Sequence, residues 1–263
     1  MKKPQKPIER KHGKNGTYLN LYPKYQYDPT EYERPTYTVD MCIFRICKGD
    51  LQILLIERAQ APFKGKLAFP GGFVNIKDGE SSEDAAVREL EEETGVKDLL
   101  GSPTQFKTYS RHDRDPRWHT VDTVYFYLMR EEEWERMPVQ AGDDAAKVCW
   151  HSAWSLQQAG VKIMGFDHHM ILCDLLHHFS SSAWRESLFF YMTPRKDFTV
   201  SELREAFLAL TGKMHVSVDP GNFSKAIRKR YVLEELSEKK QPGGAGRPAS
   251  AYKWVSDKHD FQE

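Results

Sequence analysis

No apolar run in this 263-residue chain approaches the roughly 20 residues that a membrane-spanning helix requires. Net charge is also missing: 38 Lys and Arg balance 38 Asp and Glu, which argues against a uniformly basic nucleic-acid binder. Cysteine is scarce. Cys42, Cys47, Cys149 and Cys173 lie mostly in apolar contexts without metal-type spacing, so they read as reduced core residues of a cytoplasmic protein. Met1 to Gly16 carries lysines but no apolar stretch, which excludes a secretory signal there. No internal repeat is found. What is present is a 40% hydrophobic fraction, enough for real cores, and a length that suits two compact domains.

The most informative stretch is RELEEETGV, residues 88–96. Glu89, Glu92 and Glu93 stand at i, i+3 and i+4, so one helix carries three carboxylates close together, an arrangement that repels itself without a cation. Hard divalent cations such as Mg2+ take oxygen ligands of this kind. The spacing predicts a helix from Ser81 to Glu93, with Ser81 or Ser82 as N-cap and Glu83 and Asp84 in the first turn. Ala86 and Leu90, with Val87, form its apolar stripe, and the three glutamates are expected on the other side. Arg88 can pair with Glu92 or brace a carboxylate from outside a metal shell. Gly95 suits a left-handed C-terminal cap.

These residues resemble the Nudix box: a glycine, a glutamate, then R-E-U-x-E-E-x-G-U with U apolar. Arg88, Glu89, Leu90, Glu92, Glu93, Gly95 and Val96 fill the second half, and Glu80 stands eight residues before Arg88. An acidic solvated helix face is the plain alternative, but it leaves the glycine and arginine in register unexplained. One departure exists: seven residues, Phe73 to Gly79, separate Gly72 from Glu80 where the usual box has five, so the role of Glu80 at a metal stands apart from that of Glu92 and Glu93. The resemblance implies Mg2+ or Mn2+ held by Glu89, Glu92, Glu93 and the Gly72 backbone, with Arg88, Glu89, Glu92 and Glu93 as the catalytic set. It implies a nucleotide site lined by Arg58, Gly71, Gly72, Arg111, Arg114 and Arg117. The segment RHDRDPRW, residues 111–118, lies between two strands; a charged exposed loop is its other reading. His168 and His169 are adjacent, hence splayed on a helix, which favours structural hydrogen bonding over metal ligation.

Residues 1–34 read as a basic, Tyr- and Pro-rich tail, disordered or extended. Strand signals follow at 37–47 and 51–58, joined by a tight Lys48-Gly49-Asp50 turn; Gly71-Gly72 reads as a loop. Further strands are expected at 104–110, 121–129 and 147–151, and helices at 154–159 and 167–179. Within a first domain spanning 35–180 that order fits an α/β/α sandwich. A second domain is expected over 181–256, with 257–263 as a tail. It reads as helices at 186–192 and 200–210, a helix opened by Asp219-Pro220-Gly221, and a hairpin with a Gly/Lys/Arg tip. That is the order of a winged helix-turn-helix. From Asn222 to Trp254, eight Lys or Arg face three Glu, a local +5 inside a neutral chain. The candidate DNA contacts are Asn222, Lys225, Arg228, Lys229, Lys239, Lys240 and Arg247, an electrostatic footprint suited to phosphates. A dimerisation module or a protein-binding winged helix would carry a similar face.

The segments YERPTYTVDMCIF, LQILLIERAQAPFKGKLAFPGGFV, RHDRDPR, FDHHMIL and GRPASAYKW together resemble the Nudix-related transcriptional regulators of NAD metabolism, the NrtR-like family, over roughly Pro35 to Trp254. The resemblance implies an α+β chain, a Nudix α/β/α sandwich followed by a winged helix. It implies a homodimeric repressor that binds double-stranded DNA and responds to ADP-ribose, a related nucleotide or, in some of the lineage, a sugar. Many members have a degenerate box; this chain's is intact, which leaves hydrolysis open. The rival reading is a Mg-dependent hydrolase of the ADP-ribose pyrophosphatase type whose C-terminal domain is only structural.

Overall fold

The computed structural model describes residues 8–12, 16–20, 33–137, 145–186, 188–193, 197–213, 218–240 and 248–257. Strands β1 (Ile8–His12) and β2 (Gly16–Asn20) pair antiparallel, so part of the expected tail is a hairpin. The first domain is built around β3 (Thr36–Cys47), which alternates its side chains between two cores, as a strand must. Lys48 and Gly49 both have positive φ, 52° and 77°, and close a two-residue hairpin to β4 (Asp50–Arg58). The other flank of β3 runs parallel to β8 (Thr120–Leu128), whose outer neighbour is β7 (Thr104–Tyr109). Strands β5 (Leu67–Ala68) and β9 (Ala145–Ser152) pair with β4.

The Gly71-Gly72 stretch is a strand, β6 (Gly71–Phe73), and not a loop. It adds to β3 with Asp40 opposite Gly71 and Val39 opposite Gly72. Only glycine fits there: a Cβ on Gly71 would meet the Val39 carbonyl oxygen and stand 2.6 Å from Asp40 Oδ1.

Helix α1 (Ser82–Thr94) packs Ala85, Ala86 and Leu90 on one face of the sheet, against Val39, Met41, Ile43 and Leu54. The short α2 (Glu131–Trp134) follows β8. Helices α3 (Ala153–Ala159) and α4 (His168–Ser182) cover the opposite face, where Cys42, Phe44, Val124 and Phe126 meet Leu172, Leu175 and Phe179. This is the expected sandwich, helix on both sides of a mixed sheet.

That second core runs on into the C-terminal domain without a break, through Leu188, Phe189 and Phe190 to Phe207, Phe223 and Tyr231. The expected helix at 186–192 is a 3-10 segment, Leu188–Met192, too short for an α-helical ladder but rich in anchoring rings. Helix α5 (Val200–Leu210) starts with a capping box between Thr199 and Glu202. Helix α6 (Pro220–Arg230) is capped by Asp219, with proline in its first turn. Strand β10 (Tyr231–Lys240) leaves α6 with no intervening residue and pairs with β11 (Ala249–Asp257). Phe198 bridges to Tyr252 through two backbone hydrogen bonds of 3.1 and 2.8 Å, which completes the wing's small sheet.

Among the described residues, side chains of the first domain fasten it to the second through four hydrogen bonds. Trp154 Nε1 donates to the Ala209 carbonyl (2.9 Å) and Ser180 Oγ to that of Thr211 (3.2 Å). Arg130 Nη1 donates to the carbonyls of Phe190 (2.9 Å) and Thr193 (2.8 Å). No helix among the described residues is long and apolar enough to cross a membrane.

Candidate functional site: an acid-lined cleft and a basic helix

The carboxylates of α1 start from a well-fixed helix. Ser81 accepts the Asp84 amide as N-cap, and Gly95 ends the helix in the left-handed region, φ 71°. Arg88 is the hub of the exposed side. Its Nε lies 2.6 Å from Glu80 Oε1, and its Nη1 lies 2.8 Å from Glu89 Oε1 and 2.9 Å from Glu92 Oε2. Those three partners hold the guanidinium proton more firmly than usual, while the Arg88 bond draws the Glu80 carboxyl below its ordinary range. The two extra loop residues are absorbed by a 3-10 turn at Ile76–Asp78, and Glu80 Oε2 closes that turn on the Asn75 amide (2.7 Å). Glu80 is therefore committed to Arg88 and to its own loop.

Glu93 departs from the expected arrangement. It is buried at 8% exposure and turns inward, where its Oε2 accepts the Gly71 amide at 2.9 Å. Its position three residues after Leu90 and seven after Ala86 puts it on the inner stripe of the helix. Glu89 is half-buried, and burial pushes its carboxyl above the usual range. A Cβ on Gly72 would collide with the Glu89 carboxylate, so the glycine backbone and that carboxylate stand in contact. Glu89, Glu92, Glu93 and the Gly72 carbonyl offer only oxygen, the donor chemistry Mg2+ or Mn2+ takes. Among the described residues no three His, Cys, Asp or Glu are gathered in ligating geometry. Arg88 spans Glu89 and Glu92 instead.

Beside α1 opens a cleft of about 330 Å³, at the lower end of the roughly 300–1,000 Å³ of small-molecule sites. Arg58, Gly71, Gly72, Arg114 and Arg117 line it, together with Glu89. Arg111 does not; it is exposed and held by Asp113 at 2.7 Å. Arg58 and Arg117 stack on the Phe166 ring at 4.8 and 5.7 Å, and Arg117 also lies 5.6 Å from Phe73. Burial and the neighbouring Arg117 lower the Arg58 pKa, a cationic pair that favours an anion between them.

The cleft floor holds residues the sequence reading passed over. Asp40 on β3 and Asp122 on β8 are diagonal neighbours, since Thr38 stands opposite Asp122 and Val124 opposite Asp40, and Asp167 precedes α4. Arg114, 4% exposed, joins all three: Asp167 Oδ1 at 2.9 Å, Asp122 Oδ2 at 3.2 Å and Asp40 Oδ2 at 3.8 Å. Burial pushes Asp40 up to about 6 and Asp122 well above the carboxylate range. The signal was available, since single aspartates interrupt the apolar runs TYTVDMCIF and TVDTVYFYL. His168 accepts the Phe69 amide at Nδ1 (3.0 Å), so its proton sits on Nε2, 3.2 Å from Asp40 Oδ2. Burial lowers its pKa to about 4, which keeps it neutral. His169 Nε2 lies 3.0 Å from the Gln157 carbonyl oxygen. Both histidines are hydrogen-bonding residues.

On the second domain, Asn222, Lys225 and Lys229 are exposed along one side of α6 while Phe223 and Ile227 are buried on the other. Arg228 is partly diverted: its Nη2 donates to Tyr252 Oη at 2.6 Å, with the guanidinium 5.1 Å from that ring. Lys239 is exposed, whereas Lys240 is tied to Glu202 (3.1 Å) and the Asp197 carbonyl (2.6 Å). Arg247 lies outside the described residues.

Residues 36–165 match the NUDIX domain, and residues 190–254 match the NrtR DNA-binding winged helix domain. An ADPR responsive transcriptional repressor NtrR of Acinetobacter baylyi is 31% identical over 239 residues, 90% of this chain and 88% of its own. The ADP-ribose pyrophosphatase of Methanocaldococcus jannaschii is 39% identical over 149 residues, 55% of this chain and 75% of its own. Among solved structures, a MutT/nudix family protein from Enterococcus faecalis shares a TM-score of 0.71 and 32% identity, covering 89% of this chain and 91% of that one. Shewanella oneidensis NrtR complexed with a 27mer DNA shares a TM-score of 0.65 and 25% identity, covering 83% of this chain and 93% of that one. The Nudix sandwich, its intact box and the attached winged helix thus occur here in one chain, which belongs to the NrtR family of Nudix-related transcriptional regulators.

Proposed function

We infer that this chain is a DNA-binding transcriptional repressor, governed by ADP-ribose or a closely related nucleotide in the Nudix cleft. The observation that carries the reading is the union of two sites in one packed body. An arginine-flanked cleft suited to a diphosphate and an exposed basic helix share a continuous core. Arg58 and Arg117 supply cationic donors for phosphate oxygens, and their Phe166 contact holds them in place. On the DNA side, α6 is the recognition helix, with Asn222 and Lys225 toward its N-terminal half, where major-groove contacts are made. Lys229 and Lys239 take phosphates.

The working unit is a homodimer, because two recognition helices must enter major grooves about 34 Å apart to read a symmetric operator. An effector can release DNA only through different affinities for the DNA-bound and DNA-free arrangements. The test is a titration of labelled duplex from the protein's own upstream region, with and without ADP-ribose and Mg2+. Specific, salt-sensitive binding that ADP-ribose relieves is the expected result; no specific DNA binding would sink the reading.

A second activity is favoured by the complete set Glu89, Glu92 and Glu93. With a divalent cation, Mg2+ or Mn2+, these carboxylates and the Gly72 carbonyl form a hydrolytic site for the same diphosphate linkage. The cation would neutralise phosphate charge and acidify a bound water. Arg88 then braces Glu80 and Glu89. AMP release, followed in the same titration, is expected to fall at least 100-fold when Glu92 and Glu93 are both changed to Gln. Undiminished release would remove them from the site.

A further inference from the structure

Helix α4 begins in the cleft and ends in the DNA-binding domain. His168, its first residue, lines the cleft, and Asp167 just before it grips Arg114, another lining residue. Fifteen residues at 1.5 Å each carry the helix about 22 Å away. There Ser180 Oγ donates to the Thr211 carbonyl at the end of α5. Trp184 follows, with its ring 5.4 Å from Phe223 of the recognition helix and its carbonyl accepting from Tyr231 Oη at 3.3 Å. A displacement of α4 along or about its axis is therefore felt at both ends.

Asp167 occupies the N-cap of α4, where an aspartate ordinarily accepts an amide of the first turn. It makes no such bond. Both of its oxygens are taken by Arg114, Oδ2 from Nε at 3.1 Å and Oδ1 from Nη2 at 2.9 Å. Asp219, the N-cap of α6, has ψ 122° and does cap its helix, accepting the Asn222 amide at 2.7 Å. Asp167 has ψ 16°, with the Met170 amide on its own carbonyl (2.9 Å), so to cap α4 it must turn its backbone as well as its side chain. One carboxylate thus has two places to go, the guanidinium or the helix end. An anion entering the cleft is drawn to Arg114 with Arg58 and Arg117, and it repels the carboxylate already there.

We propose that Asp167 is the positioning residue that links the two sites: an anionic effector takes over Arg114, Asp167 turns to cap α4, and the helix shifts Trp184 against the recognition helix. The proposal rests on the reading of the cleft as the effector site. Asp167 itself touches neither ligand; it supplies the pair of arrangements that the effector and DNA bias in opposite directions.

The test uses the full chain and reads the coupling ratio, the DNA dissociation constant with saturating ADP-ribose divided by that without. Asp167→Asn keeps a capping side chain and removes the charge that holds Arg114. The variant is expected to bind DNA more weakly than wild type before any effector is added, and its coupling ratio is expected to fall at least fivefold. The effect of DNA on ADP-ribose affinity should shrink by the same factor, since coupling is reciprocal. A ratio within twofold of wild type, in a variant that binds both ligands, would overturn the proposal.

Should the variant fail to fold, amide hydrogen exchange on wild type decides. ADP-ribose is expected to change protection in the first turn of α4 and at Phe207–Thr211, and no change at either end would overturn the proposal. Wild type that does not bind ADP-ribose would remove the effector reading and this inference together. Normal release with unaltered coupling in Asp167→Asn would remove only the inference.

Discussion

Two neighbouring glycines predict opposite outcomes for the same small substitution. In Gly71→Ala the new methyl meets the Val39 carbonyl oxygen and stands 2.6 Å from Asp40 Oδ1 and 3.0 Å from Asp40 Cα, against the 3.4–4 Å of ordinary contact. The obstacle is mostly β3 backbone, paired in register with β6, so relief requires the strands to part. Parting them stretches the Gly71 amide bond to Glu93 and moves Asp40 within the Arg114 cluster. Overpacking costs about 1–3 kcal/mol, and a backbone obstacle places this case at the upper end. At about 2–4 °C per kcal/mol for a domain of this size, the melting midpoint should fall by roughly 6–12 °C. In Gly72→Ala the nearest atoms to the methyl are those of the Glu89 carboxylate, the far end of a flexible side chain that can swing aside. Stability should drop by less than about 1 kcal/mol, while ADP-ribose binding or Mg2+-dependent AMP release suffers because Glu89 is displaced. Calorimetric melts of both variants with a ligand titration check this. The reasoning fails if Gly71→Ala melts within 2 °C of wild type, or if Gly72→Ala proves the less stable of the two.

Other outcomes follow from the same geometry. The Asp40 carboxyl, raised to about 6 from 3.8, contributes stability that is full below 3.8 and lost as pH rises through 6. His168, lowered to about 4 from 6.5, contributes stability that is full above 6.5 and lost as pH falls through 4. The two nearly offset between pH 4 and 6, so urea midpoints of Asp40→Asn should decline more steeply than wild type on acidification across that window; parallel curves would refute the assignment. Replacing Lys225 or Lys229 by Ala should lower the slope of log affinity against log salt by about 1 each if each takes one phosphate. Arg228→Ala should in addition lower the melting point of the winged helix through the lost Tyr252 contact, which circular dichroism of the variant would reveal. Trp154→Phe removes the indole donor to Ala209 O, a carbonyl that keeps the Gly212 amide at 3.3 Å, so the loss should cost only about 0.5–1.5 kcal/mol in urea unfolding.

Periodicity made much of this chain legible. The strand alternation of 37–47 and 51–58, the cap and stop of α1 and the α6 wing order all appear in the structure nearly at their expected bounds. Such features are local, and local chemistry writes them into sequence. What remained hidden depended on register between distant segments. Pro-Gly-Gly reads as a turn, yet Gly71–Phe73 is a strand because β3 leaves an open flank there. Arg114 sits in a charged stretch, yet its three acidic partners come from β3, β8 and the start of α4. Glu93 was misplaced for a different reason. Its charge argued for the solvent side while its spacing from Leu90 and Ala86 argued for the inside, and the Gly71 amide that satisfies it lies 22 residues away.

The junction between α6 and β10 carries a consequence of its own. Arg230 ends the helix and Tyr231 begins the strand, with the Tyr231 ring wedged against Phe189 and Phe190 at 6.0 and 4.6 Å. Helix and the base of the wing are thus joined without a linker, and the strands of the wing slip register only beyond Val232. If α6 enters a groove as proposed, a base change that tilts the helix would also move the start of the wing. Operator variants should therefore be bound or refused whole, with a sharp boundary in affinity between the two classes.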